Sequence, residues 1–337
     1  MKIARALIFS VILAPLAAAQ DGGQNTNSFF DDSPAREYAL KSISVAGDVA
    51  EPGAVDLTKL PLREAVVKDL GWEAGKPEFK GAYFITGYSL YDILNAKQVK
   101  KPEGAFRPEV DLYVTVENGK GEKAVFSWGE IYYSKDNFKI LLTRTARPVN
   151  PAKRDDLSWP LPEAPRLVCA NDLYNIRYVS DPVRITVKAA PGIFSEERVE
   201  KPFSPDIKII ANGKTTVIKE LPQTAERRSS VGAGYGHGMG YKGFKEVEGV
   251  VLKNILIEKA GLKAQESADK LVVVSARDGY RAAFSLSELI NRNDSEDFLL
   301  LDRGDSQEDG RFSFFAAPDF YVDRNIHSVE KVEVLKL

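Results

Sequence analysis

Cysteine and histidine are scarce in this 337-residue chain, which has one cysteine and two histidines. Cys169 alone cannot form an intrachain disulfide, an iron–sulfur site, a zinc ribbon or a haem attachment motif. His237 and His327 are 90 residues apart, so they cannot form the H-E-x-x-H motif of a zinc enzyme on one helix. The G-x-S-x-G motif of serine hydrolases is missing from the sequence as well. These absences leave the familiar exported hydrolases and multi-histidine metal sites poorly supported.

Neither sign of charge is in large excess, and long apolar runs are rare. The formal net charge is −2, which argues against a nucleic-acid-binding protein because such proteins need a basic surface. One apolar run stands at the amino terminus, where Lys2 and Arg5 precede residues 6–16 and three alanines precede Gln20. This order predicts a signal peptide over residues 1–19, cleaved near Ala19-Gln20, and export to the periplasm or beyond the cell. No apolar run of about 18 residues follows it, so we expect no transmembrane segment in the mature chain.

The second part of the chain repeats the first. Residues 170–187 align without a gap on residues 317–334, and further matches follow the same order along the chain. Such a collinear repeat indicates tandem duplication of one domain. We predict a mobile segment over 20–37, a first domain over 38–190, a linker over 191–205 and a second domain over 206–337. The matched positions include Asp172 with Asp319, Tyr174 with Tyr321, Arg177 with Arg324, Gly87 with Gly249, Ser127 with Ser285, Glu130 with Glu288, and Leu141-Leu142 with Leu300-Leu301.

Local patterns predict short helices and many strands in each copy. Apolar spacing predicts a short helix after Ser89 and another from Leu252. The segments 127–130 and 285–288 both read Ser-x-x-Glu, which predicts a capping box at the start of a helix. Asn212-Gly213 lies between two β-branched runs and predicts a type I′ hairpin turn. The expected fold class is α+β, with mixed sheets and short helices.

At several of these positions the chain resembles the molybdopterin-binding domain of sulfite-oxidase-type oxidoreductases. The resemblance implies two tandem sulfite-oxidase-like domains, and it covers nearly all of both copies. In that family a cysteine thiolate binds molybdenum in the stretch between the Leu-Pro element and the following helix. Neither copy has a cysteine there; Cys169 follows a predicted core strand and is expected to be a small buried residue. The matching elements are Leu60-Pro61, residues 87–94, Asp278-Gly279-Tyr280 before residues 285–289, residues 165–168, and the arginines Arg177 and Arg324.

The most unusual segment is the glycine-rich stretch 232–240. Two interpretations are open: a mobile loop with His237 in solvent, or a pocket whose backbone N–H groups approach an anion. Arg177 and Arg324 match the arginine that the family places near the pterin, and the alternative is that each ties a nearby turn through Asp172 or Asp319. The candidate ligand-binding residues are Arg227, Arg228, Tyr235, His237, Lys242, Arg324 and Arg177.

These observations favour a binding or redox-accessory protein on a scaffold without its cofactor. Its partner would be a small anionic or pterin-like ligand, or a periplasmic redox partner protein. One alternative is a molybdopterin-dependent oxidoreductase with non-cysteine ligation, in which His237, Arg227, Arg228 and Arg324 form the pocket. Another is a structural or assembly protein. No catalytic residue and no metal ligand is predicted.

Overall fold

Alternating apolar residues place much of the chain in extended strands. The structure, a computed structural model, describes residues 34–149, 159–192, 202–236, 238–304 and 310–337. About 50% of the described residues are in strands and 15% are in helices, and four small sheets lie in a four-bladed β-propeller arrangement. The expected α+β class with two sulfite-oxidase-like, molybdopterin-binding-type domains is therefore wrong.

The first half of the chain, residues 34–192, forms two sheets. Sheet 1 consists of β1 (Arg36–Glu37), β4 (Arg63–Glu73), β5 (Lys76–Ser89), β8 (Ile140–Pro148), β9 (Arg166–Cys169) and β10 (Val179–Ser180). Sheet 2 consists of β2 (Ser42–Gly47), β3 (Gly53–Asp56), β6 (Leu112–Asn118), β7 (Lys123–Ser127) and β11 (Pro182–Ala189). The strand orders are β10-β9-β8-β5-β4, with β1 paired to β8, and β3-β2-β11-β6-β7. Strands β2 and β11 pair in parallel, and the other pairs are antiparallel.

The second half, residues 202–337, forms two more. Sheet 3 consists of β12 (Ile207–Ala211), β13 (Lys214–Ile218), β16 (Lys270–Ala276), β17 (Arg281–Ser285) and β20 (Val329–Lys336). Sheet 4 consists of β14 (Arg227–Gly236), β15 (Gly240–Val251), β18 (Phe298–Asp302) and β19 (Phe312–Ala316). The strand orders are β13-β12-β20-β16-β17 and β14-β15-β18-β19. The order of elements along the chain is that of the first half, including a parallel pair between the first strand, β12, and the last, β20.

Each helix is one or two turns long and begins directly after a strand. The helices are α1 (Leu90–Asn95), α2 (Trp128–Tyr132), α3 (Leu252–Ala260) and α4 (Leu286–Ile290). The predicted capping boxes are confirmed, because Ser127 Oγ and Ser285 Oγ accept from the backbone N–H of Glu130 and Glu288, and both carboxylates reach back. The helical spacing in the sequence corresponds to helices that exist but have only 5 to 9 residues. For this reason it predicted a larger helical fraction than the fold contains. No helix in the described ranges is long and apolar enough to cross a membrane.

Strand pairing corrects one part of the sequence alignment. Tyr88 lies opposite Leu142, and Val250, at the matching position of β15, lies opposite Leu300. Leu142 therefore corresponds to Leu300, and the pairing of Leu141-Leu142 with Leu300-Leu301 is wrong by one residue. A shift of one residue in a strand exchanges the two faces of the sheet, so this correction decides which side chains face the core.

The core is divided between the halves and continues across their boundary. One apolar cluster fills the first half and another fills the second. A third joins sheets 2 and 3 through Tyr113, Val125, Leu271 and Ala283. Cys169 is 2% exposed within the first cluster, which confirms its predicted role as a small buried residue.

Two turn predictions have opposite outcomes. The Asn212-Gly213 turn is confirmed, since it joins β12 to β13 and both residues have positive φ, 52° and 73°. The loop interpretation of residues 232–240 is wrong for residues 232–236 and 240, because Gly236 still belongs to β14 and β15 begins at Gly240; it holds for Gly238 and Met239, which form a turn. The glycines of β14 are held in an extended conformation by pairing with β15.

Several predictions fall outside the described residues. The signal peptide over 1–19, most of the segment 20–37 and most of the linker 191–205 lie there, and so does His237. Arg36 and Glu37, at the end of the predicted mobile segment, form the short strand β1 against Ala146 and Thr145. Export and the domain boundaries stay predictions.

Candidate ligand-binding site

A cavity of about 430 Å³ lies beside sheet 4 in the second half. The glycine side of the hairpin β14–β15 forms one wall, through Gly232 and Gly234. The other walls are apolar and aromatic, with polar groups at a few points, which is typical of small-molecule sites of this size. The apolar lining includes Val247, Leu301, Phe314, Phe315 and Val322, and the polar lining includes Lys242, Lys245, Tyr280, Arg303, Asp323, Asn325 and His327.

Glycine at position 232 makes room for the aromatic wall. A Cβ atom on Gly232 would lie 2.5 Å from Cζ of Phe315, which no real contact allows. The hairpin also bulges at Gly234 and Tyr235, opposite Gly243 with φ +100°. That conformation suits glycine, and the bulge leaves Lys242 without a cross-strand partner at the cavity.

Three cations that pair with no acidic residue of the described ranges make the cavity basic. Lys242, Lys245 and Arg303 line it, and none of them forms a salt bridge with a described residue. Among the described lining residues Asp323 supplies the one carboxylate, and both it and His327 make interactions of their own. A site with excess positive charge and low-dielectric walls attracts anions.

Tyr280 provides a fixed polar group at the wall. Its hydroxyl donates to the backbone oxygen of Asp323 over 2.6 Å. Burial, reinforced by the charge of Asp323, raises the pKa of Tyr280 to about 12. The phenol therefore stays protonated at neutral pH and holds the segment that carries Asp323 and Asn325.

In the first half the equivalent place is filled by larger side chains. The two hairpins, β4–β5 and β14–β15, have the same strand register. Val67, Asp69 and Tyr83 are therefore the counterparts of Gly232, Gly234 and Lys245. Asp69 pairs with Arg166 over 2.8 Å, and Arg166 corresponds to Ser313. The cavity thus arises where the second copy has small residues in place of large or charged ones.

A second segment helps to cover the first-half position. Trp159 and Leu161 pack against the buried cluster that contains Tyr38, Tyr83 and Val168. The Tyr83 hydroxyl donates to the Pro160 carbonyl over 2.9 Å. Residues 159–161 therefore cover this face in the first half.

The predicted site residues do not lie together in the structure. Lys242 lines the cavity, and Tyr235 lies next to it against Phe320 and Tyr321, with ring centroids 5.4 and 6.2 Å apart. The other described candidates lie elsewhere. Arg227 pairs with Glu248 over 2.8 Å, Arg228 pairs with Glu226, Glu296 and Asp297, and Arg177 and Arg324 are buried between the halves.

Arg177 and Arg324 belong to a buried charge network. Each makes a two-point contact with the aspartate five residues before it, Asp172 or Asp319, at 2.6–2.8 Å. Each also contacts the capping-box glutamate of its own half and the capping serine of the other half, with Arg177 donating to Ser285 Oγ over 3.1 Å. Within the structure as described, these contacts support the turn-tying interpretation of the two arginines.

The glutamates of this network differ in their ionisation. Burial raises the pKa of Glu130, although Arg177 opposes it. Burial also acts on Glu288, but Arg324 and Arg292 outweigh it and lower the pKa of Glu288. Arg292 opposes the effect of burial at both glutamates, and the first half has Ser134 at the matching position.

The sequence reasoning missed most of the cavity. Lys245, Arg303, Asp323 and His327 line it, and none was a candidate. Pairing residues 227–251 as a β-hairpin would have identified Lys245. In that register Gly232 lies opposite Lys245, so the lysine is on the same face of the sheet as the glycines.

Molybdopterin does not fit the residues present. A thiolate is the family's metal ligand, and the one cysteine of the chain, Cys169, is buried in the first-half core. Burial raises the pKa of its thiol well above the ordinary value, so thiolate formation is opposed. No cysteine lies among the described residues that line the cavity in the second half.

No protein-family model matches the chain, and a search of the curated proteins finds no match.

Proposed function

We propose that the protein binds a small organic anion in the cavity beside sheet 4. The observation that carries the proposal is the set of three cations, Lys242, Lys245 and Arg303, around one cavity without acidic partners among the described residues. A bound anion would complete these charges in a partly apolar surrounding, where charge-assisted hydrogen bonds are strong.

The walls favour an anion that carries a flat apolar group. Phe315 lies over Gly232, and Val247 and Leu301 face the same cavity. An aromatic carboxylate places its ring against Phe315 and its charge toward the lysines. A compact inorganic anion would contact the lysines but would have no ring to pack against Phe315.

Isothermal titration calorimetry with benzoate, inorganic phosphate and benzyl alcohol tests the proposal. Benzoate is expected to bind at least about tenfold more tightly than the neutral alcohol of similar shape, and more tightly than phosphate. Equal binding of benzoate and benzyl alcohol, or no binding of any anion, would refute an anion site.

Matched variants locate the site. Lys245→Gln and Arg303→Gln should each weaken benzoate binding about tenfold. Lys80→Gln is the control, because Lys80 occupies the position of Lys242 at the bulge of the first hairpin but pairs with Glu73. It removes the same charge and should leave benzoate affinity unchanged.

We propose export on the basis of residues 1–19 alone. Mass spectrometry of the protein from the producing cell should give a mature chain that begins at Gln20, in the periplasmic or extracellular fraction. A cytoplasmic chain that retains residues 1–19 would contradict export without affecting the binding proposal.

A further inference from the structure

Strand β14 is a long sheet edge that lacks protection. It ends the order β14-β15-β18-β19, and no strand in the described part of the chain pairs with its outer side. Natural edge strands are commonly blunted by charged side chains. From Ser229 to Gly236 this strand has none.

The equivalent edge in the first half is protected. Strand β4 ends sheet 1, and its outward residues are Glu64, Val66 and Lys68. The corresponding outward residues of β14 are Ser229, Val231 and Ala233, and all three are uncharged. The two hairpins share their register, so the difference is one of side chains.

An apolar strip lies along the unprotected edge. Val231 is 67% exposed and Phe244 is 70% exposed. Phe244 lies opposite Ala233 and Glu246 lies opposite Val231, so Val231 and Phe244 share the face turned away from the cavity with the exposed carboxylate of Glu246. Exposed apolar groups beside unpaired backbone are suited to an added strand, since alternate side chains of that strand can pack there.

The opposite face of the edge leads to the cavity. Gly232 and Gly234 expose no side chain there, and the next side chain inward from Gly232 is Lys245, which is exposed. An added strand would lie about 10 Å from β15, a distance that extended lysine and glutamate side chains span together. Alternate residues of the added strand would therefore meet positive charge.

We infer that β14 accepts an extended segment of a partner protein in which apolar and acidic residues alternate. Backbone hydrogen bonds extend sheet 4, the apolar residues pack on Val231 and Phe244, and the acidic residues face Lys245 and Lys242. The choice of acidic residues rests on the proposed anion site, whereas the backbone pairing does not.

Fluorescence anisotropy with a labelled peptide of alternating valine and glutamate tests the inference. It should bind at least about tenfold more tightly than the corresponding valine–lysine peptide. Two further peptides carry N-methyl groups on alternate residues, one on the valines and one on the glutamates. Strand addition requires that one of the two loses binding and the other retains it, because only alternate N–H groups face β14.

Val231→Ser and Val66→Ser form a matched pair of variants at equivalent exposed positions, 67% and 51% exposed. Val231→Ser should weaken peptide binding about tenfold, and Val66→Ser should not change it. Both variants should bind benzoate like the wild type, so that a failure of strand addition is distinguishable from a failure of the anion site.

Three results would overturn the inference. They are equal effects of the two N-methylation patterns, equal effects of the two serine variants, and a concentration-dependent dimer that Val231→Ser dissociates, since the last would mean that a second copy occupies the edge.

Discussion

The hydroxyl of Ser127 donates to Oε2 of Glu288 over 2.7 Å, although 161 residues separate the two in the chain. The same hydroxyl caps α2 and accepts from Arg324 over 3.0 Å. A helix cap of the first half is therefore part of the charge network of the second. The halves meet through paired contacts of this kind, including the bridges Ser134–Asp319 and Asp172–Arg292, which join equivalent positions.

Glu130 and Glu288 occupy equivalent positions but should differ in their importance for stability. Glu288→Gln is expected to cost about 3–5 kcal/mol of unfolding free energy, because Arg324 and Arg292 lose a buried ionised partner. Glu130→Gln should cost less than Glu288→Gln, because burial raises the pKa of Glu130 and glutamine resembles the protonated carboxyl. Guanidinium unfolding of the two variants measures the difference, and equal losses would contradict it.

The same two glutamates should give opposite pH dependences. A carboxyl whose pKa is raised by folding contributes stability below its ordinary value of 4.5 and loses it as the pH rises through the folded value. Glu288, whose pKa is lowered, contributes above 4.5 and loses its contribution as the pH falls through the folded value. The stability of the wild type relative to Glu130→Gln should therefore fall as the pH rises above the ordinary value of 4.5. Relative to Glu288→Gln it should fall as the pH drops below about 4.5.

Gly129→Ala should be strongly destabilising, although alanine normally improves a helix. The new Cβ would lie 2.2 Å from Nε of Arg324. Displacing that side chain from a packed interior should cost about 3 kcal/mol. Gly119→Ala is the control, because nothing lies within 4 Å of its Cβ position; its midpoint of thermal unfolding should barely change.

Gly232→Ala should affect binding more than folding. Its Cβ would meet Phe315 at 2.5 Å, and Phe315 can move only into or along the cavity that it lines. We expect benzoate affinity to fall about tenfold, with a loss of unfolding free energy of about 1–2 kcal/mol. Unchanged calorimetric binding would show that the Phe315 wall is not part of the site.

Cys169 should be unreactive in the folded protein. The side chain is 2% exposed and burial raises the pKa of its thiol. A thiol reagent such as dithionitrobenzoate should label no cysteine in native buffer and one in concentrated guanidinium chloride. Rapid labelling of the native protein would contradict the buried position.

Local chemistry was predictable from sequence where a few neighbouring residues determine the conformation. The capping boxes at Ser127 and Ser285 and the Asn212-Gly213 turn depend on groups within three residues of each other, and these predictions are confirmed. The fold class depends on how strands associate at long range. Short helices at regular intervals pointed to α+β, whereas strand pairing places much of the described chain in four sheets.

The cavity was predictable only in part, because it arises from differences between the copies. The glycines at 232 and 234 were visible, but their meaning required the register that sets them against Lys245 and Gly243. The alignment of Leu141-Leu142 with Leu300-Leu301 was one residue out of register, because Leu142 corresponds to Leu300. Periodicity within one strand cannot reveal such an offset, since it requires the neighbouring strand.

The exchange of Ser134 for Arg292 makes the contact between the two halves asymmetric. A symmetric homodimer carries the same residue on both sides of its axis, whereas one chain with two similar halves can carry a guanidinium group on one side and a hydroxyl on the other. Glu130 and Glu288 therefore differ in proton affinity although they occupy equivalent positions.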